Sequence, residues 1–541
     1  MAHRTLAPER GSPRLDRGGG LDPSGCALPR HTAEAGTLYL PPVLRQRGGL
    51  TWRGLTATAI FMEGSIVLPK LIQGGMGVAI SDWRLAKAVS QLGQLGVVAG
   101  TGLSLVLASR LMDGDLGGHM RRALGSLALS EPGRAILQRY YVPGGKAPNE
   151  PYRSPPAYTI RPPRFLDQLT AMATYVEVFL AREGHSGIVG INLLEKVQMP
   201  TLASLYGAML AGVDYVLMGA GIPMQVAAII DKLTNHEPVS YRLEVQGAGP
   251  DDDYRIHFDP RAIFPGMARL VGQLKRPRFL PIIASAVLAQ ALLKRSEGAV
   301  DGFVIEGPTA GGHNAPPRGA LNLNNRGEPI YGEKDVVDLL KMKQLGLPFW
   351  LAGGYGNPAQ VQKALDAGAA GVQVGTAFAL CDESAMETGL KSRLLRQVVA
   401  GEAQVLTSAS ASPTGFPFKI ALAPGTMSDQ EVCDARPRFC DLGFLRSPFK
   451  REDGSLGYRC PAEPVGDYVE KGGKEADVVG RRCLCNHLIA TAGFPRRRKG
   501  GYLEPPLVTS GDDLPNVVQF LKPGQLSYTA AVVINRLLGP G

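Results

Sequence analysis

The sequence contains no long uninterrupted apolar run, and this absence bears first on membranes. A membrane-spanning helix needs about 18 or more consecutive apolar residues, and no window of the 541 residues supplies them. The hydrophobic fraction of 44% and the charged fraction of 20% are ordinary for a soluble globular enzyme. We therefore expect a soluble protein that does not engage a membrane.

The sequence also has no stripe of interleaved basic and aromatic residues. Its formal net charge is +10, and its lysines and arginines are dispersed apart from the short run Arg496 to Lys499. A basic run of four residues is more often a solvated loop than a nucleic-acid site. Nucleic acid is therefore not expected as a partner.

Paired cysteines at knuckle spacing, the strong signature of zinc, are missing as well. An odd number of cysteines without a secretory signal indicates reduced thiols, so we expect a cytoplasmic protein. The last five cysteines are separated by 6, 19, 22 and 1 residues, and we assign no metal ligand. Both a metal or cluster role and ordinary packing stay open for them. The seven cysteines are Cys26, Cys381, Cys433, Cys440, Cys460, Cys483 and Cys485.

Composition divides the chain into three parts. Residues 1–61 are rich in Gly, Pro and Arg and show no periodicity, which predicts a disordered arm. A start codon assigned too far upstream is the alternative. Residues 62–425 have a regular alternation of apolar runs and helical patterns. Residues 426–541 lose that rhythm and are predicted to form a C-terminal extension.

Eight short apolar runs recur in the middle part, and four of them end in glycine. Helical patterns lie between them, and eight buried strands alternating with helices predict an α/β fold, a (β/α)8 TIM barrel. A doubly wound open sheet is the alternative. The runs are VLPKLIQ from Val67, LGVVAG from Leu95, GIVGINL from Gly187, YVLMG from Tyr215, LPIIAS from Leu280, GFVIE from Gly302, FWLAG from Phe349 and GVQVG from Gly371.

Two intervals are too long for simple connections. Residues 104–186 follow the second run, and a long loop on that side of a barrel is expected to overhang the active site as a lid or wall. The alternative is that this insertion only decorates the outside. Residues 238–262 contain the alternating stretches YRLEV and YRIHF, which predict a β-hairpin.

The residues that follow the strands share one face of a barrel, and there they suggest a mononucleotide site. Glycines after strands seven and eight, Gly353, Gly354 and Gly375, together with Thr376, suit a phosphate held by backbone N–H groups at a helix N-terminus. Tight turns are the alternative. After strand one, Gly74, Gly75, Met76 and Gly77 offer backbone close to a flat ring, whose polar edge the amides of Gln73 and Asn192 could bind. FMN fits this description best.

The loop after the sixth run carries the candidate for chemistry. It reads GPTAGGHNAPPRG, in which Gly311 and Gly312 allow close approach to a planar ligand and His313 follows. An imidazole is well suited to accept or donate a proton. A histidine in a glycine-rich loop can equally be a solvated turn residue. His119 also follows two glycines, but it follows no strand and is interpreted as a loop residue.

Taken together, these motifs resemble the nitronate monooxygenase family, formerly called 2-nitropropane dioxygenases. The resemblance rests on GGMG, INL, AGGH, AGG and GVQVGTAF, in that order at strand ends, and covers about Leu68 to Ala423. It implies an FMN-dependent barrel in which His313 faces the flavin as catalytic base or electrostatic partner. Thr309, where the family commonly has glutamate, is a departure from the motif. The implied flavin contacts are Gln73, Gly74, Gly75, Met76, Gly77, Asn192, Gly311, Gly312, Gly353, Gly354, Gly375 and Thr376.

The implied reaction is oxidation of a nitronate or nitroalkane, with molecular oxygen as the final electron acceptor. An NAD(P)H-dependent FMN reductase acting on an enoyl thioester shares much of the motif set and is the first alternative. The second is a barrel that binds a phosphorylated metabolite without redox chemistry. A homo-oligomer is compatible with the sequence.

Overall fold

The computed structural model describes residues 68–127 and 130–539. The predicted arm of residues 1–61 lies outside these described residues. Within them the strands are, in chain order, β1 (Leu71–Gln73), β2 (Gly96–Ala99), β3 (Val189–Leu194), β4 (Tyr215–Gly219), β5 (Val239–Arg242), β6 (Arg255–Phe258), β7 (Arg278–Ile283), β8 (Phe303–Glu306), β9 (Gly312–His313), β10 (Phe349–Ala352), β11 (Gly371–Val374), β12 (Val405–Ser408), β13 (Phe418–Ala421), β14 (Ser447–Lys450) and β15 (Leu456–Arg459).

Eight of these strands form a closed parallel barrel. Their order is β1-β11-β10-β8-β7-β4-β3-β2, and every pairing is parallel. Leu95, just before β2, closes the ring against β1: Gln73 N–H donates to its carbonyl at 2.9 Å, and its own N–H donates to the Leu71 carbonyl at 3.1 Å. The predicted (β/α)8 barrel is confirmed, and the open-sheet alternative is wrong because β1 and β2 meet.

The α-helices surround this barrel. They are α1 (Trp83–Gln91), α2 (Leu103–Met112), α3 (His119–Ser126), α4 (Ser130–Tyr140), α5 (Arg164–Arg182), α6 (Thr201–Leu210), α7 (Val226–Leu233), α8 (Pro260–Ile263), α9 (Met267–Val271), α10 (Ala286–Arg295), α11 (Leu339–Gln344), α12 (Pro358–Asp366), α13 (Thr376–Ala379), α14 (Thr388–Ala400), α15 (Gln430–Ala435), α16 (Val465–Glu470), α17 (Leu484–Thr491) and α18 (Ala530–Leu538). Among the described residues, no helix combines the length and apolar character needed to cross a bilayer.

The strands are apolar on both faces because each face packs against a different core. Inside the barrel, side chains such as Ile72, Val304 and Trp350 form one buried cluster. A larger cluster lies between the barrel and its helices. The indole N–H of Trp350 donates to the Pro69 carbonyl at 2.8 Å, which satisfies its only polar atom inside the core.

The insertion of residues 104–186 differs from the expected lid. Its main element, α5, packs against α1, α2 and α6 in the outer helical layer. Of the described residues in the insertion, only Leu105 lines the large cavity at the barrel mouth. The outside placement is therefore the correct alternative. The physical reason is that α5 is long and buried over most of its length, so its apolar face requires neighbouring helices. The predicted hairpin is confirmed: β5 pairs antiparallel with β6.

The region after residue 425 is folded onto the barrel. Thr509 bridges to Ile420 of β13, and β13 pairs with β12 and β9 in a three-stranded sheet. The last helix, α18, packs against α1, α12 and α13. Residues of this extension can therefore contribute to the face of the barrel where the strands end.

Candidate functional site

A cavity of about 230 Å³ lies at the C-terminal end of the barrel strands. Segments following β1, β3, β8, β10 and β11 line it, as is usual for barrels of this kind. Twelve of the sequence-predicted residues lie on its wall: Gly74, Gly75, Met76, Gly77, Asn192, Gly311, Gly312, His313, Gly353, Gly354, Gly375 and Thr376. The structure thus brings together motifs that are up to 302 residues apart in sequence, from Gly74 to Thr376 (376 − 74).

Gln73 is the predicted residue that the cavity does not include. Its side chain is fully buried, and its oxygen accepts a hydrogen bond from Val97 N–H at 2.9 Å. Its amide nitrogen donates to the Ser81 hydroxyl at 2.9 Å and to the Gly74 carbonyl. Both ends of the amide therefore tie β1 to β2 and to the following loop. The Gln73 side chain thus holds the loop and does not line the cavity, so its predicted contact with a ligand is not supported by this geometry.

One side of the cavity offers free backbone donors. Gly353 and Gly354 have φ values of 90° and 77°, which favour glycine. The N–H groups of Gly354 and Gly375 find no acceptor among the described residues. The Thr376 hydroxyl accepts from Gly511 N–H at 2.9 Å, so its own proton remains available to donate. Because α13 has only four residues, individual N–H groups, and not a helix dipole, are the donors here.

Two amide oxygens on the wall lack partners. Asn192 donates from its amide nitrogen to the Gly75 carbonyl at 3.0 Å, but its oxygen is buried and unpaired. Gln373, on β11, also has a buried unpaired oxygen and lines the same cavity. A buried polar atom without a partner is costly and indicates a missing ligand group or water. The sequence analysis missed Gln373, although its place in GVQVG was a usable signal.

Gly75 lies close against this side of the cavity. A Cβ atom added at Gly75 would lie 2.4 Å from the Cβ of Asn192. The absence of a side chain is therefore a steric requirement of this loop. Together, the bare backbone, the free N–H groups and the unpaired amide oxygens fit a planar ligand that carries a phosphate.

His313 lies in β9, which pairs antiparallel with β13 through the His313–Phe418 register pair. Its Nε2 is 2.8 Å from the Ser412 hydroxyl, and its ring meets Phe418 edge-on with centroids 4.7 Å apart. Burial lowers the pKa of His313 to about 4, because a charged imidazolium is poorly solvated there. The side chain is thus an uncharged imidazole at neutral pH. His119, by contrast, packs on Trp83 and does not line the cavity.

Residues 270–411 match the family model of nitronate monooxygenase. The resemblance seen in the sequence is confirmed over this segment, which we call the nitronate monooxygenase segment. It contains His313 and the glycines after β10 and β11, but not Gly75 or Asn192. Nitronate monooxygenase from Pseudomonas aeruginosa is 33% identical over 147 residues, which cover 27% of this chain and 40% of that protein.

Two further comparisons set the range of similarity. Nitronate monooxygenase from Paraburkholderia phytofirmans is 32% identical over 148 residues, covering 27% of this chain and 37% of that one. A solved nitroalkane oxidase from Streptomyces ansochromogenes aligns with a TM-score of 0.42 and 14% identity over 87% of this chain and 94% of that chain. The chain spans about two fifths of the length of each of these two curated relatives.

Glu306, at the end of β8, lies in the nitronate monooxygenase segment and lines the cavity. Its carboxyl group has no hydrogen bond or ion pair with any described residue. The carboxyl group faces the cavity but is otherwise surrounded by protein, which separates it from bulk water. This desolvation raises the pKa of Glu306 to about 8. The carboxyl group is therefore protonated near neutral pH. No local feature of the sequence shows that a strand-end carboxyl such as that of Glu306 is unpaired.

An apolar surface completes the cavity, and all of it comes from outside the nitronate monooxygenase segment. We call it the apolar wall and define it as residues that both line the cavity and share one hydrophobic cluster: Leu194, Val197, Phe418, Phe444, Leu445, Leu484, Cys485 and Leu488. Leu484 and Leu488 are four positions apart and lie on the same face of α17. The sequence analysis treated this region as an extension and missed its contribution.

The cysteines of the extension form a separate group. Cys440, Cys460, Cys483 and Cys485 lie together in one small cluster, and Cys485 also reaches the cavity. All six cysteines in the described ranges are free thiols. No set of three or more His, Cys, Asp or Glu side chains within those ranges has the arrangement of a metal site.

Proposed function

We propose that this protein is an FMN-dependent oxidoreductase that oxidises nitronates or nitroalkanes. The observation that carries the proposal is one cavity in which His313 faces the same space as the free N–H groups of Gly354 and Gly375 and the unpaired amide oxygen of Asn192. Curated relatives that match part of this chain bear that enzyme's name, which supports the reaction class.

The residues present fit FMN. Gly354 and Gly375 would donate backbone hydrogen bonds to the phosphate, helped by the Thr376 hydroxyl. Asn192 and Gln373 would accept from donors at the edge of the ring, and Gly75 would let the ring lie against the loop. Asp513 also lines the cavity, but its carboxylate accepts from Gly356 N–H at 2.8 Å and is thereby turned to the backbone. When bound, flavin supplies a two-electron acceptor that molecular oxygen can reoxidise.

His313 can hold a proton at one defined atom. The Ser412 hydroxyl is 2.8 Å from His313 Nε2 and 2.8 Å from the Thr414 hydroxyl, and it accepts from Thr414 N–H at 3.2 Å. This arrangement is satisfied when Nε2 carries the proton and donates to Ser412. Nδ1 then keeps its lone pair and can accept the α-proton of a nitroalkane. A nitronate anion beside the ring would raise the pKa of His313 and so favour protonation at Nδ1.

Purified protein tests this proposal through its visible spectrum and its electron donors. We expect a yellow protein whose absorption bleaches anaerobically with ethyl nitronate and recovers when oxygen is admitted. Bleaching by NADPH and not by the nitronate would favour the enoyl-thioester reductase instead. A colourless protein that cannot be reconstituted with FMN would favour a barrel that binds a phosphorylated metabolite.

His313→Ala tests the assigned base. We expect this variant to retain flavin, because the phosphate and amide contacts lie elsewhere around the cavity. We expect it to lose turnover of nitroalkanes, because their α-proton then has no acceptor. His119→Ala is the matched control, since His119 also follows two glycines but lies outside the cavity. Full turnover in His313→Ala would contradict the role of His313.

A further inference from the structure

The apolar wall adjoins the candidate base directly. Phe418 is both a member of the wall and the ring that His313 meets edge-on, with centroids 4.7 Å apart. A substrate whose reacting carbon lies beside His313 would therefore extend its remaining atoms along Phe418 and the leucines of α17. Such a surface favours apolar groups, because contact removes them from water.

The cavity offers no positive charge to a substrate. Among the described residues on its wall, none is a lysine or an arginine. Its ionisable side chains are Glu306, His313, Tyr355, Cys485 and Asp513, and burial raises the pKa values of Tyr355 and Cys485, which keeps both uncharged near neutral pH. Of these, His313 is uncharged at neutral pH, and the two carboxyl groups can supply only negative charge.

The two lysines next to the wall in sequence are already paired. Lys196 Nζ lies 2.7 Å from Glu244 Oε2 and 3.7 Å from Glu195 Oε2. Lys419 Nζ lies 2.6 Å from Asp512 Oδ1. Each ammonium group is thus already held at salt-bridge distance by a carboxylate, and neither Lys196 nor Lys419 lines the cavity.

From these observations we propose that the site selects nitro compounds with an uncharged alkyl chain lying on the apolar wall, and disfavours those that carry a second anionic group. The proposal rests on the proposed function for the reacting group. A carboxylate at the far end of the substrate would be desolvated against Leu484 and Leu488 without a compensating cation. An alkyl chain would gain from every methylene buried there.

The first experiment compares substrates on the flavin-loaded wild-type enzyme. In a series of primary alkyl nitronates from propyl to hexyl, we expect kcat/KM to rise about fourfold per methylene, since each buried CH₂ is worth about 0.8 kcal/mol. Propionate 3-nitronate and its methyl ester form a matched pair that differs in charge. We expect the ester to be favoured by at least about tenfold. A flat chain-length series, or preference for the carboxylate, would overturn the proposal.

The second experiment places a cation on the wall. Leu488 is half-buried, so Leu488→Lys can direct its ammonium group into the cavity. We expect this variant to reverse the order of the ester and the carboxylate and to flatten the chain-length series. Leu538→Lys, at a half-buried leucine of α18 that does not line the cavity, is the matched control and should keep the wild-type order. An unchanged order in folded Leu488→Lys would count against the wall.

Binding of unreactive ligands separates this inference from the proposed reaction and does not require a folded variant. Calorimetry on the wild-type protein would compare straight-chain aliphatic amides with carboxylates of equal length. Tighter binding of the amides, with affinity rising with chain length, supports apolar selection even if no nitro compound is turned over, in which case the proposed reaction alone is wrong. Equal or tighter binding of the carboxylates overturns the inference whatever the enzyme oxidises.

Discussion

The proposed activity of this protein toward a nitroalkane should be nearly constant from about pH 7.5 down to about pH 5.5. Burial lowers the pKa of His313 to about 4, so the proton-accepting imidazole persists well into the acid range. At pH 5.5 about 97% of such a histidine is neutral, against about 9% for one with the ordinary pKa near 6.5. The two cases therefore differ about tenfold in the fraction of competent enzyme at that pH.

The groups that face His313 support this direction. Glu306 lines the same cavity, and its raised pKa of about 8 leaves it uncharged below neutral pH. It cannot then stabilise an imidazolium in the free enzyme. Asp513 lies on the cavity as well, but it accepts a hydrogen bond from Gly356 N–H. Phe418 and Ser412, the immediate neighbours of the ring, carry no charge.

The assay is kcat/KM for nitroethane across about pH 3 to pH 8 at constant ionic strength, because kcat/KM reports the ionisations of the free enzyme. Adding nitroethane freshly to each buffer limits its ionisation before mixing. We expect the acid limb to have its midpoint near the pKa of about 4 given by burial of His313. A midpoint near the ordinary value of about 6.5 would refute the reasoning, because His313 would then be solvated.

Three further predictions concern individual side chains. In the wild-type enzyme we expect kcat/KM for a nitronate to fall above about pH 8, since an ionised Glu306 repels the anion. Glu306→Gln should remove this fall, and a fall that persists in its pH–rate profile would contradict the prediction. Gly75→Ala should weaken FMN binding about tenfold or more in a fluorescence titration, because the new Cβ overlaps Asn192; undiminished affinity would show that the loop yields. His487 is fully buried with its pKa lowered to about 3, so the unfolded chain binds its proton more tightly between about pH 6.5 and pH 3. The free energy of unfolding measured with urea should therefore fall by about 3 kcal/mol between about pH 7 and pH 4, and by less in His487→Leu. Equal falls in the two proteins would be evidence against this histidine as the source.

The barrel was predictable from the sequence because each of its strands leaves a local trace. Phe303, Val304 and Ile305 are all apolar since both faces of β8 are buried, and the run ends at Glu306, where the chain turns toward the loop. The same holds for the run at Phe349, which becomes β10. Once eight such runs alternate with helices, parallel strand order and the position of the strand ends follow from general rules of connection.

The glycine positions of the site were predictable for the same reason, whereas Gln73 was not. A glycine after a strand predicts a turn or a close contact of the backbone with neighbouring atoms, because it has no side chain, as at Gly75. The direction of a polar side chain depends on partners elsewhere, and the Gln73 amide is used by Val97 and Ser81. Sequence alone shows where an amide is, but not whether its hydrogen bonds are already made.

The sequence near His313 gives no indication of the residues that surround it in the structure. Ser412 lies 99 residues further along the chain, and the partner of Thr376, Gly511, lies 135 residues away. These contacts depend on a short two-residue strand, β9, pairing with β13. A pairing of that length has no periodicity of its own, so neither the tautomer of His313 nor its apolar neighbours could be inferred before the structure.

The residues that line the cavity come from different parts of the chain, and these parts differ in the role proposed for them. His313, Glu306, Gly354 and Gly375 lie within the segment that matches the nitronate monooxygenase family, whereas Leu484 and Leu488 lie beyond it. The glycines suited to hold a cofactor follow barrel strands and His313 lies on β9, while part of the surface beside them is supplied by α17, a later helix. Because α17 donates no polar atom to the groups proposed to bind flavin, its leucines can change without altering those groups. Substrate preference should therefore be separable from the proposed redox chemistry.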